Sequence, residues 1–95
     1  MTYSINSRAA QWRIVDGEAV VVHVDTSYYY SLNRTGTFIW TALSMAPQSA
    51  SDLAKQLAQA FGIDQVRATA DVAALLTALR DEDLVMEHRR GDTPA

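Results

Sequence analysis

Tyr28-Tyr29-Tyr30-Ser31-Leu32-Asn33-Arg34-Thr35-Gly36-Thr37-Phe38-Ile39-Trp40 is the stretch in which the chain changes its hydrophobic period. Up to Leu32 the period is two. Tyr28, Tyr30 and Leu32 fall on one face of an extended segment, and Tyr29 and Ser31 fall on the other. Aromatic residues favour such a pleated surface. From Asn33 onward the pattern is helical. Asn33 is a good N-cap, because its short side chain can accept a hydrogen bond from an N–H of the first turn. Gly36, Ile39, Trp40 and Leu43 then recur at i, i+3, i+4 and i+7. A strand that runs directly into a capped amphipathic helix sets the order of the fold at this point.

Toward the N-terminus the chain reads as two more strands. Gln11 to Val15 and Ala19 to Val24 are β-prone runs on either side of Asp16-Gly17, a strong short-range hairpin signal. Ala19 to Val24 is apolar on both of its faces. Asp25-Thr26-Ser27 forms the next turn, and Tyr28 to Leu32 completes a three-stranded antiparallel meander. Met1 to Ala10 is polar and small, and reads as a loose arm. Toward the C-terminus, Pro47 breaks the first helix. Ser49 with Asp52 approximates a capping box, and Leu53, Leu57 and Phe61 form an i, i+4, i+8 stripe that stops at Gly62. Asp64 caps a third helix over about Gln65 to Asp81, with Ala68, Val72, Leu75, Leu76 and Leu79 on its apolar face. Leu84 to Met86 can return as a short strand or fold back on the core, and His88 to Ala95 reads as a polar tail. Grouped strands followed by grouped helices make an α+β domain, with helices on one face of the sheet.

The 95 residues fit one domain, 1–95, with loose tails at 1–10 and 88–95. A chain that is 48% hydrophobic and 20% charged is globular in composition, and its modest core leaves little room for a deep catalytic cavity. The net charge of −3 opposes nucleic-acid binding, which rewards clustered Lys and Arg. The absence of cysteine removes disulfides, thiolate metal sites and thiol nucleophiles together. The start, Met1 to Arg8, lacks the apolar stretch of a signal peptide, and the longest strongly apolar run, Ala19 to Val22, is far too short to span a bilayer. A soluble, cytoplasmic protein with no membrane partner is expected.

Catalytic and metal chemistry find little support. His23 and His88 have no ligand-like spacing, so structural or surface roles and no metal are expected. Ser27, Ser31 and Ser44 lie in no nucleophile-elbow context, which ranks a small hydrolase last. The glycines are too scattered to cradle a phosphate, so no cofactor is implied. Asp81, Glu82 and Asp83 read either as a solvated helix exit or as an acidic rim for a basic peptide. Three helices beside a small sheet also outline a winged helix, so a DNA-binding regulator is the second reading. However, Arg67 and Arg80 on the third helix stand among Asp71 and Asp81 and make no basic stripe. The Tyr-rich third strand is the most informative local feature. If it lies at a sheet edge, its free N–H and C=O groups can pair with an added peptide strand. Alternatively, the tyrosines cover the core and a tail blocks the edge.

Tyr30-Ser31-Leu32-Asn33 followed by Thr35-Gly36 and Ile39-Trp40 resembles the Y-x-L-N-x-T-G-x-x-I-W core of PqqD-like proteins. Ser51 to Ile63 looks like their second helix, and Ala70-Asp71-Val72 with Leu76, Leu79 and Leu84-Val85 is similar to their D-V-x-x-x-L-x-x-L-x-x-x-G-L-V ending. The resemblance runs from about Val15 to Met86. It departs from the pattern at Asp83, where the family has glycine, and at His23 to Ser27, where PqqD proteins of quinone-cofactor biosynthesis carry Y-P-E-G. The closer likeness is to free-standing leader-binding proteins of lasso-peptide biosynthesis.

The resemblance implies a winged-helix-like recognition element for ribosomally made, later modified peptides. It implies that the leader segment of a precursor peptide adds as a strand beside the third strand, in a groove closed by the third helix. Carried over, the binding residues are Tyr28, Tyr29, Tyr30, Ser31 and Leu32 with Asp71, Leu75 and Ala78. No residue is assigned to catalysis. The implied partners are a precursor leader peptide and a maturation enzyme, either a leader peptidase, a cyclase or a radical-SAM protein.

Overall fold

The computed structural model of the chain describes residues 1–89. In chain order its elements are β1 (Thr2–Ile5), β2 (Ala10–Val15), β3 (Glu18–His23), β4 (Tyr29–Ser31), α1 (Arg34–Met45), α2 (Ala50–Phe61), α3 (Gln65–Asp81) and β5 (Val85–His88). The meander expected from the period-two pattern is present as an antiparallel sheet of order β2-β3-β4, followed by the three helices.

Local chemistry explains each junction. Asp16 and Gly17 both have positive φ, 52° and 82°, which is what a two-residue hairpin of the primed type requires. The β3–β4 turn is closed by Ser27 N–H donating to His23 C=O at 2.8 Å and by Asp25 N–H donating to His23 Nδ1 at 3.2 Å. Asn33, Ser49 and Asp64 cap the three helices, accepting from the N–H groups of Gly36, Asp52 and Val66 at 2.8, 3.0 and 3.0 Å. Gly62 ends α2 in the left-handed region. Asp83 also adopts that region, with φ 62°, at the position where the resembling family has glycine. An aspartate tolerates this geometry better than most residues, so the exchange keeps the turn.

The loose arm expected over Met1–Ala10 is corrected by the structure. Thr2–Ile5 is a strand that pairs antiparallel with β5, in a register that matches Thr2 with His88 and Ile5 with Val85. Tyr3 and Ile5 pack against the core, and Tyr3 also exchanges main-chain hydrogen bonds with Gln48 at 2.7 and 3.0 Å. Side chains reinforce the pairing. Tyr3 O–H donates to Glu87 Oε2 at 3.2 Å, Arg80 Nη1 donates to the same oxygen at 2.9 Å, and Ser4 Oγ lies 2.8 Å from His88 Nε2. His88 therefore belongs to β5 rather than to a tail; residues 90–95 of the expected tail lie outside the described residues.

The core sits between the inner face of the β2-β3-β4 sheet and the helices. Trp40 is fully buried at its centre, edge-on to Trp12 with ring centroids 6.1 Å apart, and Val21, Leu53, Leu57, Val72, Leu76 and Leu84 close around it. Leu76 is 1% exposed, so truncation leaves a cavity that the neighbouring helices cannot fill. Leu76→Ala is expected to cost about 2–5 kcal/mol of folding stability, read from denaturant or thermal melts. The Arg80 hydrogen bond holds the Glu87 carboxyl below the usual glutamate range, against partial desolvation and with further help from Tyr3. This contribution is present above the ordinary glutamate value of 4.5 and is lost as pH falls through the depressed one. Melts across that acid range should therefore show wild type converging on Glu87→Gln as pH drops, with the difference between them restored near neutrality.

Candidate functional site

The β2-β3-β4 sheet ends at β4, which pairs with β3 on one side only. Two hydrogen bonds fix which way each β4 residue faces. His23 N–H donates to Tyr28 C=O at 2.9 Å, and Leu32 N–H donates to Ala19 C=O at 2.8 Å. An antiparallel ladder alternates strictly, so Tyr28, Tyr30 and Leu32 direct their main chain toward β3. The N–H and C=O groups of Tyr29 and Ser31 face the other way, off the sheet edge.

Opposite this edge stands α3. Between them lies a cavity of about 510 Å³ lined by Tyr29, Tyr30, Ser31 and Leu32 on the strand side. Leu75, Ala78, Leu79, Asp81 and Glu82 line it on the helix side. Tyr30 reaches across the end of the cavity and its O–H donates to Glu82 Oε2 at 2.7 Å. That hydrogen bond pushes the phenol pKa up, which keeps the tyrosine a donor at all ordinary pH. A second cavity of about 570 Å³ continues past the end of β4. Its floor is Gly36, Ile39, Ile63, Ala74 and Leu75; its rim is Asn33, Thr35, Arg67 and Asp71. Leu75 borders both chambers. Gly36 lets the walls meet, since a Cβ there would lie 3.3 Å from Leu32 Cβ and 3.7 Å from Leu75 Cδ2.

The residues singled out in the sequence are distributed as follows. Tyr29, Tyr30, Ser31, Leu32, Leu75 and Ala78 line the first chamber, and Asp71 lines the second, 3.7 Å from Arg67. Tyr28 is 68% exposed and lines neither. Leu75 is half-buried and packs on the core as well as facing the groove. The second chamber was not anticipated. Its α3 residues extend the Asp71–Leu75–Ala78 stripe by one turn to Arg67, a signal present in the sequence. Its Gly36, Ile39 and Ile63 are contributed by other elements, which no spacing reveals. Among the described residues no group of three or more His, Cys, Asp or Glu side chains is placed to hold a metal.

The family model for PqqD, coenzyme PQQ synthesis protein D, matches residues 18–85. The chain belongs to the PqqD family. The matched span runs from the start of β3 through the first residue of β5, so it contains both walls of the groove. No curated protein matches the sequence significantly. Two solved structures share the PqqD-family fold seen here. The structure of TbiB1 in complex with the TbiA(beta) leader peptide has a TM-score of 0.80 at 22% identity, covering 92% of this chain and 99% of that one. The structure of lasso peptide synthetase B1 complexed with the leader peptide has a TM-score of 0.77 at 22% identity, covering 90% and 98%.

The ladder direction can be measured directly. In native-state hydrogen exchange the amides of Tyr30 and Leu32 should be protected, while those of Tyr29 and Ser31 should exchange far faster. Protection at Tyr29 and Ser31 in the free protein would mean that the edge is already occupied.

Proposed function

We propose that this PqqD-family chain binds the leader segment of a ribosomally synthesised precursor peptide and holds it for a maturation enzyme. One observation carries the reading: the outward N–H and C=O groups of Tyr29 and Ser31 border a groove walled by α3. A leader entering there adds a fourth strand to the sheet, making up to four main-chain hydrogen bonds. Its alternate side chains then point toward Leu75, Ala78 and Leu79, and a longer segment continues into the chamber rimmed by Arg67 and Asp71. That both solved neighbours hold a leader peptide supports the same reading.

In this role the binding residues are Tyr29, Tyr30, Ser31, Leu32, Asp71, Leu75 and Ala78, with Tyr28 extending the strand toward the turn. Residues 1–95 act as one recognition domain in the cytoplasm, where a ribosomal precursor is made. Among the described residues no helix is long and apolar enough to cross a membrane. The domain has no chemistry of its own; the partner is the leader peptidase, cyclase or radical-SAM protein that acts on the precursor. Duplex DNA fits poorly, because Arg67 faces Asp71, and Arg80 is engaged by Asp81 and Glu87.

A titration of the labelled chain with its precursor's leader tests the proposal. Tyr29→Pro removes one outward donor without touching the β3 ladder, and should weaken binding by about 0.5–1.5 kcal/mol. Leu75→Ala should weaken it by more than about 1 kcal/mol, while lowering the melting temperature less than Leu76→Ala does. Asp71→Asn should weaken a basic leader more at low salt than at high salt. If amide shifts map the peptide to α2, or Leu75→Ala binds as wild type does, the groove is not the site.

A further inference from the structure

The sheet has a second open edge, and nothing in the leader-binding reading uses it. β2 pairs only with β3. Val24 N–H donates to Ala9 C=O at 2.8 Å, so in the same ladder Gln11, Arg13 and Val15 direct their main chain toward β3. The N–H and C=O groups of Trp12 and Ile14 therefore face outward. β2 is six residues long against three for β4, and it carries no proline. Trp12 and Ile14 are 37% and 48% exposed on this edge. Beside it lies a cavity of about 380 Å³ whose apolar lining includes Ile5, Trp12, Leu43, Met45 and Pro47; Met45 is 83% exposed.

The charge along this edge gives the occupant its character. Arg8 precedes β2 and Arg13 lies within it, both exposed, and neither has an acidic partner within ion-pair distance among the described residues. The leader groove is bordered instead by Asp71, Asp81 and Glu82. The two edges of one sheet thus differ in charge, and an extended segment selected by one is repelled by the other.

We propose that the β2 edge is a second strand-addition site, and that it takes an acidic, apolar-alternating segment of the maturation enzyme while β4 holds the leader. This rests on the leader-binding reading. An apolar side chain of the segment enters the cavity beside Trp12, its main chain pairs with Trp12 and Ile14, and its carboxylates meet Arg8 and Arg13. Self-pairing of two copies is disfavoured, because centring the two-fold at Arg13, which brings Trp12 opposite Ile14, sets the two Arg13 side chains directly against each other.

The test uses the full chain with the precursor and the purified maturation enzyme encoded beside it. Two variants, Arg8→Glu/Arg13→Glu and Ile14→Pro, are each checked by thermal melt, by leader titration and by rate of precursor processing. The expected result is unchanged leader affinity with processing slowed roughly tenfold or more at limiting enzyme, and with wild-type Trp12 and Ile14 amides protected only when enzyme is present. Full processing by both variants overturns the proposal. So does a dimer that Ile14→Pro dissociates, since the edge then belongs to a second copy. Loss of leader affinity in these variants, with Tyr29→Pro binding normally, instead overturns the β4 reading itself.

Discussion

The Thr37 hydroxyl sits where the strand-to-helix joint is made, and the rest of the site depends on it. Ala19 N–H donates to Thr37 Oγ1 at 2.8 Å, and that hydroxyl in turn donates to Leu32 C=O at 3.2 Å. The hydroxyl thus stands in the ladder where Ala19 and Leu32 would otherwise close their second hydrogen bond. It ties the first turn of α1 to both β3 and the end of β4. The Asn33 cap on Gly36 anchors the same turn from the other side. A buried main-chain donor and acceptor left open here would each carry a desolvation cost of roughly 1–3 kcal/mol, so the joint is held firmly. Its rigidity is what sets the distance between the β4 edge and α3. Gly36 admits Leu75 at close range, and Leu75 is the wall shared by both chambers.

Much of this was legible in the sequence because it is local. The change of period at Leu32–Asn33, the Asp16-Gly17 turn and the three side-chain caps each act within a few residues, and the structure places them as the pattern does. The free edge followed from the meander order. What escaped was long-range. The β1–β5 pairing joins residues 84 apart through Tyr3, Ser4, Glu87 and His88. Short polar-looking segments of this kind have no strand signal until a partner edge exists. The second chamber escaped for the same reason, since Ile39, Ile63 and Arg67 come from α1, the α2–α3 link and α3 and share no spacing. Leu75 shows a subtler limit. Its place on the flank of the helix was readable, but the helical wheel could not show that Gly36 would bring α1 close enough to half-bury it.

Asp83 shows how a departure from a family pattern is absorbed physically. Glycine at that position carries no Cβ cost in the left-handed region, while an aspartate carries some. In return its carboxylate lies 3.8 Å from Nε2 of the buried His23, and its C=O accepts from Asn6 Nδ2 at 2.9 Å. His23 closes the β3–β4 turn through Nδ1, which leaves Nε2 to carry the ring proton toward Asp83. The substituted residue therefore links the corner after α3 to the turn before β4. Those are the two ends that must stay in register for the groove to keep its width.

A three-stranded sheet with two open edges is an aggregation hazard unless each edge is managed. β4 is managed by brevity, three residues long, and by α3 standing over it with Asp81 and Glu82 at the exit. A leader must displace no structure to enter, because the outward groups of Tyr29 and Ser31 are already aligned, and the ordering cost falls on the peptide alone. β2 is longer and more apolar, yet Arg13 stands at its middle and Arg8 at its head. Charges placed there suppress pairing between like copies while leaving the main chain open to a segment of opposite charge. A domain without a catalytic cavity gains its selectivity this way, by keeping both edges of its sheet unpaired and giving each a different sign.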